Sequence, residues 1–195
     1  MISFKQYLME DQSFNITSKE IEEGKLKNDY SKILDIENFD CGNMMFLSSL
    51  KGCPTKISGD FKCRYTGIKS LRYGPTRVEG SYYCQKTGIS SLRFSPEYVG
   101  KNFFAMDNNK IKSLEGIGVE YLQEIDGILM LPEKIESHLL GILKIRSLHG
   151  VNISNNANNR LRKAVEIIKK HLDNKNINKC KSELKEAGLE EYAQL

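Results

Sequence analysis

A phrase of about 21 residues is written three times along this chain in near-perfect register. Leu50 to Ser70 aligns with Leu71 to Ser91 and then with Leu92 to Ser113. The shared columns read L-x-x-x-P-x-x-[IV]-x-G-x-[FY]-x-C-x-x-T-G-I-x-S. Pro54, Pro75 and Pro96 recur at this period, as do Ile57, Val78, Val99 and Phe61, Tyr82, Phe103. A repeat of this length is too short to bury its apolar edge alone, so copies must stack into a solenoid.

Within one copy the chemistry reads as a strand. Ile57, Gly59, Phe61 and Cys63 alternate with Ser58, Asp60, Lys62 and Arg64, a period of two that buries one face. Gly59 and Gly80 mark a bend or a close approach of backbones. Thr66-Gly67 and Thr87-Gly88 punctuate the strand's end, with glycine expected at positive φ there. Asn108-Asn109 takes that corner in the third copy, and Asn also tolerates the left-handed region. The array begins near Phe39-Asp-Cys41, which matches Phe61-Lys-Cys63, and Leu47 to Leu50 matches Ile68 to Leu71. An I-x-S-L step recurs at Ile89, Ile111 and Ile145, and Leu131 to Ile135 reads as a contracted Leu-Pro-to-Ile element. From Leu114 to Leu131 the pattern is degenerate and places no strand. About five units follow from this count.

Both flanks read as caps. Residues 1–38 form an N-terminal cap, with Phe4, Tyr7 and Leu8 on one short helical face, a helix start at Thr17 to Glu20, and a short helical or irregular segment marked by Ile21, Ile33 and Leu34. The repeats occupy 39–151. After the polar joint at 152–159, a helix carries Leu161, Ala164, Val165, Ile168 and Leu172 on one face. Asn174 to Asn178 breaks it. A second helix carries Cys180, Leu184 and Ala187 and stops at Gly188. Leu189, Tyr192 and Leu195 then close the end. Such a helical pair, residues 152–195, covers the open edge of the array.

The segments Phe61-x-Cys63-x-x-Thr66-x-Ile68 and Tyr82-x-Cys84-x-x-Thr87-x-Ile89 resemble the leucine-rich-repeat core L-x-L-x-x-N-x-L. The Gly-x-Pro turn, the G-x-[FY]-x-C strand, the I-x-S-L step and the closing stretch Cys180 to Ala193 resemble repeat proteins of large contractile-tailed bacteriophages. This resemblance spans residues 39–195. It implies an α/β repeat protein: a short leucine-rich-repeat-like solenoid with one parallel strand per repeat, used as a binding scaffold with no catalytic residues. Ala105 in place of Cys and Lys101 in place of Gly depart from the pattern. Met1 to Glu10 is similar to phage capsid-targeting peptides, and Leu8-Met9-Glu10 matches the cleavage context of their maturation proteases, which implies processing at Leu8 and Glu10.

Catalytic and metal signals are absent from the sequence. Cys41, Cys63 and Cys84 would stack about one strand spacing apart, roughly 4.8 Å, so the outer two cannot share one tetrahedral ion with ligands at roughly 2.3 Å. They are expected as core filler. His138, His149 and His171 have no partner at ligand spacing, and no nucleophile elbow, Walker loop or H-E-x-x-H occurs. No enzyme activity and no cofactor are expected. Nor does any stretch reach the roughly 20 apolar residues of a membrane span. A missing signal-peptide pattern and five Cys without paired spacing point to the host cytoplasm, with the capsid interior as the alternative.

The net charge of +4 divides into −4 over residues 1–40, +5 over 41–154 and +3 over 155–195. This is short of the basic stripe of a dedicated nucleic-acid binder. The lysines of the terminal helices, Lys169-Lys170 among them, read as solvated faces. If Phe61 and Cys63 point inward, then Asp60, Lys62, Arg64, Tyr83, Gln85, Phe104 and Met106 point out. Two aromatics rimmed by Lys and Arg make a candidate surface for a protein partner, from host or virion. An internal head protein and a nucleic-acid-associated protein are the alternative functions.

Overall fold

The computed structural model describes residues 13–34 and 36–195. Leu8 and Glu10, and the helical face at Phe4, Tyr7 and Leu8, lie outside them. The chain winds into a parallel β-solenoid followed by two helices.

One ladder of parallel strands runs the length of the coil. It comprises β1 (Ser13–Asn15), β4 (Asn38–Asp40), β6 (Phe61–Lys62), β8 (Tyr82–Tyr83), β10 (Phe103–Phe104), β11 (Glu124–Leu131) and β12 (Arg146–Ile153). The register places Phe14, Phe39, Phe61, Tyr82, Phe103, Leu129 and Val151 in one column, at steps of 25, 22, 21, 21, 26 and 22 residues. A second ladder pairs β5 (Lys56–Ile57), β7 (Arg77–Val78) and β9 (Tyr98–Val99) with the start of β11. A separate antiparallel hairpin, β2 (Ile21–Glu22) and β3 (Lys25–Leu26), sits where a helical or irregular segment was expected. The Glu20 carboxylate does accept from Thr17 N–H at 2.8 Å, but the helix start yields only the 3-10 turn Ser18–Glu20.

The strand expected across 57–64 is therefore broken in the early coils and continuous in the last two. The break falls at Gly59 and Gly80. The Gly80 N–H donates to Gly59 O at 2.8 Å, and a Cβ on Gly80 would collide with that oxygen and the Asp60 carboxylate. Neighbouring backbones meet closely there, and the chain bends out of the regular strand ladder.

The stretch after Leu114 holds β11, which with β12 is one of the two 8-residue strands of the coil. In β11, Ile125, Gly127, Leu129 and Leu131 are buried, repeating the inward positions of Ile57, Gly59, Phe61 and Cys63. An insertion before it lengthens the step to 26 residues and hides the phase. The registers downstream differ accordingly. Leu131 ends β11 in the Cys63 column, Ser137 pairs with Ser113, and Ile145 leads directly into β12 instead of an I-x-S-L step.

The core is a stack of side-chain columns inside the coil. Phe39, Phe61, Tyr82 and Phe103 are fully buried, with ring centroids 6.0, 5.1 and 5.0 Å apart. Phe14 and Tyr30 close the first end against Phe39. Beside this column lie Cys41, Cys63, Cys84 and Ala105, all buried. The four coil edges at Leu50, Leu71, Leu92 and Leu114 make one shared turn, in which the N–H three residues on returns to the Leu carbonyl at 2.9–3.1 Å. The third residue of each turn has positive φ, and Gly52 and Gly116 suit it.

The strand-end corners bend differently from expectation. The left-handed residues are Tyr65, Lys86 and Asp107. Gly67 is needed because a Cβ there would strike the Met45 carbonyl. Asn108 is buried, donating to the carbonyls of Cys84 and Ala105 at 2.8 and 3.0 Å.

At the far end, helix α1 (Asn159–Lys170) packs against β12, and helix α2 (Ile177–Glu186) packs against α1 and the turns Leu140–Lys144 and Glu190–Ala193. Asn158 and Asn176 cap them by accepting from Leu161 N–H and Lys179 N–H. Gly188 ends α2 at φ 69°. The tail then pairs with the last coil edge, through Leu139 N–H to Tyr192 O at 3.1 Å. Leu189 and Tyr192 are buried as expected, whereas Leu195 is exposed.

The aromatic column yields a paired prediction. Phe61→Ala should cost about 3–5 kcal/mol, the transfer loss plus the cavity left behind. The buried Tyr82 hydroxyl has the Cys63 thiol as its polar neighbour and no stronger hydrogen-bond partner among the described residues, so Tyr82→Phe should change stability by no more than about 1 kcal/mol. Urea denaturation of both variants checks the pair.

Candidate functional site

Each strand of the main ladder turns alternate side chains outward, and stacking the coils sorts them into three rows. Asn38, Asp60, Ser81 and Asn102 form the first. Asp40, Lys62, Tyr83, Phe104, Met130 and Asn152 form the second, in direct register. Arg64, Gln85 and Met106 form the third.

The first row is structural. Asp60 N–H donates to Asn38 Oδ1 at 2.8 Å, Ser81 N–H to Asp60 Oδ1 at 2.8 Å, and Ile128 N–H to Asn102 Oδ1 at 2.9 Å. Asn102 N–H reaches Ser81 Oγ at 3.4 Å. Each side chain thus accepts from the next coil's backbone at the bend, where the strand ladder is interrupted and the N–H would otherwise lack a partner. Asp60, read from the sequence as a contact residue, belongs to this ladder. Its signal was available as a column of Asn, Asp, Ser and Asn ahead of each inward aromatic.

The second row is the surface. Tyr83 and Phe104 stack with centroids 4.7 Å apart and planes 7° from parallel. Lys62 Nζ stands 5.8 Å from the Tyr83 centroid and Arg64 Cζ 5.9 Å. Both aromatics remain half-buried, flanked along the row by each other. The rings use their faces on each other and on the cations, so outward they present edges. Such a row is stiff, because each side chain is held by its neighbours.

In the third row Arg64 Nε and Gln85 Oε1 are shielded from solvent and have no hydrogen-bond partner among the described residues. Met106 lies beside them, half-buried. Tyr65, with Lys86 Nζ 5.2 Å from its ring centroid, borders this row at positive φ. The structure thus brings Lys62, Arg64, Tyr83, Gln85, Phe104 and Met106 together on one face. Met130 extends the face; sequence reasoning missed it because the phase of β11 was hidden by the insertion.

The inward thiols have the opposite character. Burial pushes Cys53, Cys63 and Cys84 well above the ordinary thiol range, and Cys180 up to about 11. Neutral, enclosed thiols are poor nucleophiles and poor ligands. Among the described residues no group of three or more His, Cys, Asp or Glu is arranged to hold a metal ion, and no helix is long and apolar enough to cross a membrane. No family model matches the chain, and no curated protein or solved structure matches it.

Two predictions follow from these rows. Asp60→Asn should leave stability unchanged, since Asn38 and Asn102 do the same task, while Asp60→Ala should cost about 1–3 kcal/mol by stranding the Ser81 N–H. Thermal melts of the two variants separate the outcomes. For these buried thiols the folded pKa lies above the unfolded one of about 8.5, so their stabilising contribution is intact below about pH 8 and is lost as pH rises. Urea midpoints should fall between about pH 9 and 11, less steeply in Cys84→Ala, which copies Ala105.

Proposed function

We propose that this protein is a non-enzymatic binding scaffold that offers the outward strand face of its solenoid to a protein partner. The observation that carries the reading is the row Lys62, Tyr83, Phe104 and Met130, held in strand register with every member partly exposed. Aromatic and Arg side chains in a preformed arrangement supply most of the energy in protein recognition, because little side-chain freedom is lost on binding. Lys62 and Arg64 favour an acidic neighbour at that end of the face. The resemblance of the repeats to proteins of large contractile-tailed bacteriophages supports a host or virion protein as the partner.

Affinity capture from infected host cells, comparing wild type with Tyr83→Ala/Phe104→Ala, tests the proposal. The variant should keep its circular dichroism and melting temperature within about 5 °C, and should lose at least about tenfold in affinity for the captured partner, the cost of truncating a binding hot spot. A partner held equally by both proteins would place the function elsewhere.

A further inference from the structure

A second surface lies on the coil edge, away from the strand face. The turns at Leu50, Leu71, Leu92 and Leu114 all place their third residue in the left-handed region: Gly52 at φ 95°, Tyr73 at 70°, Phe94 at 66° and Gly116 at 85°. Glycine suits this position, and the outer two coils use it. The middle two carry large aromatics that stay more than half exposed, 53% and 59%. Neither ring fills the core, so the backbone strain serves no packing purpose. Strained residues held in this way concentrate at binding sites.

These two rings sit in a groove of about 870 Å³ between the β2–β3 hairpin and the edges of four coils, a volume suited to a specific ligand. The groove is dipolar along the solenoid axis. Lys25, Lys27 and Lys51 line the hairpin end, where Asp29 is occupied by Ser31 N–H and Oγ. Glu97 and Glu120 line the opposite end, with Arg93 bound to Glu120 at 3.1 Å. Arg72 lies over Tyr73, 5.0 Å from its centroid. Three coil steps of roughly 4.8 Å separate the ends, which an extended chain at roughly 3.3 Å per residue crosses in four or five residues. A polyanion would set its phosphates against Glu97 and Glu120, so this charge pattern disfavours nucleic acid.

We infer that the groove binds an extended peptide segment of another protein, with acidic residues over Lys25, Lys27 and Lys51, an apolar or aromatic centre against Tyr73 and Phe94, and a basic residue beside Glu97 and Glu120. The site is independent of the strand face.

Selection from a displayed random hexapeptide library on the intact chain, followed by titration of the winning peptide, tests the inference. Winners should carry acid, aromatic and base in that order, and the same peptide with its charges exchanged should bind at least tenfold more weakly. Tyr73→Gly/Phe94→Gly should also weaken binding at least tenfold while melting no lower than wild type, because glycine is the residue of the neighbouring coils. Lys27→Glu/Lys51→Glu should lose binding to a similar extent, and Tyr83→Ala/Phe104→Ala should retain it. An absence of winners, or winners indifferent to the groove variants, would overturn the inference. So would a fall of more than about 5 °C in the melting temperature of the glycine variant, which would assign the rings to the fold. Binding lost in the Tyr83/Phe104 variant would move the peptide to the strand face. Tighter, steeply salt-dependent binding of a dT12 oligonucleotide in the groove would make the ligand a nucleic acid.

Discussion

Everything in this molecule is referred to the column of stacked rings at its centre. Parallel strands set adjacent coils roughly 4.8 Å apart, and Phe39, Phe61, Tyr82 and Phe103 meet at 5.0–6.0 Å between centroids. The two spacings agree closely enough for the rings to stack one per coil without tilting the backbone out of register. Because inward and outward side chains alternate along a strand, fixing the inner column also fixes the outer row. Tyr83 and Phe104 stack outside the wall because Tyr82 and Phe103 stack inside it.

Polar side chains complete what the strands leave open. At the bend, Asn38, Asp60, Ser81 and Asn102 accept from backbone groups that have no strand partner. At the next corner Thr66 and Thr87 donate to the Cys63 and Cys84 carbonyls, and Asn108 does so across two coils. A solenoid this narrow must satisfy its buried backbone at every corner, so much of its polar sequence is committed to structure. The outer rows that escape this duty, Lys62 to Met130 and Arg64 to Met106, are the ones free to meet a partner.

The periodicity made the solenoid, the inner columns and the helical pair legible. Ile57, Gly59, Phe61 and Cys63 announced the strand, and Leu161 to Ile168 the first helix. Three features were hidden. The bend at Gly59 and Gly80 splits the early strands where two backbones meet, a contact between coils that no single copy displays. The strand at Glu124–Leu131 was masked by an insertion and by Leu replacing the aromatic and the Cys. The hairpin at Ile21–Leu26 has no repeat to compare with. For the candidate face, the outward direction of Tyr83 and Phe104 followed from alternation, but the duty of Asp60 and the strain at Tyr73 and Phe94 needed the neighbouring coil.

The central claim is that the ring column holds the outward row as one rigid, preformed face. Hydrogen exchange of the Phe61, Tyr82, Cys84 and Ala105 amides in the intact chain tests it most directly, since these N–H groups bond across adjacent coils at 2.9–3.0 Å. The account predicts that all four exchange only through global unfolding, with one common free energy. Separate opening of the Tyr82 and Cys84 amides at a lower free energy would contradict it, because the row they support would then be mobile before any partner arrives.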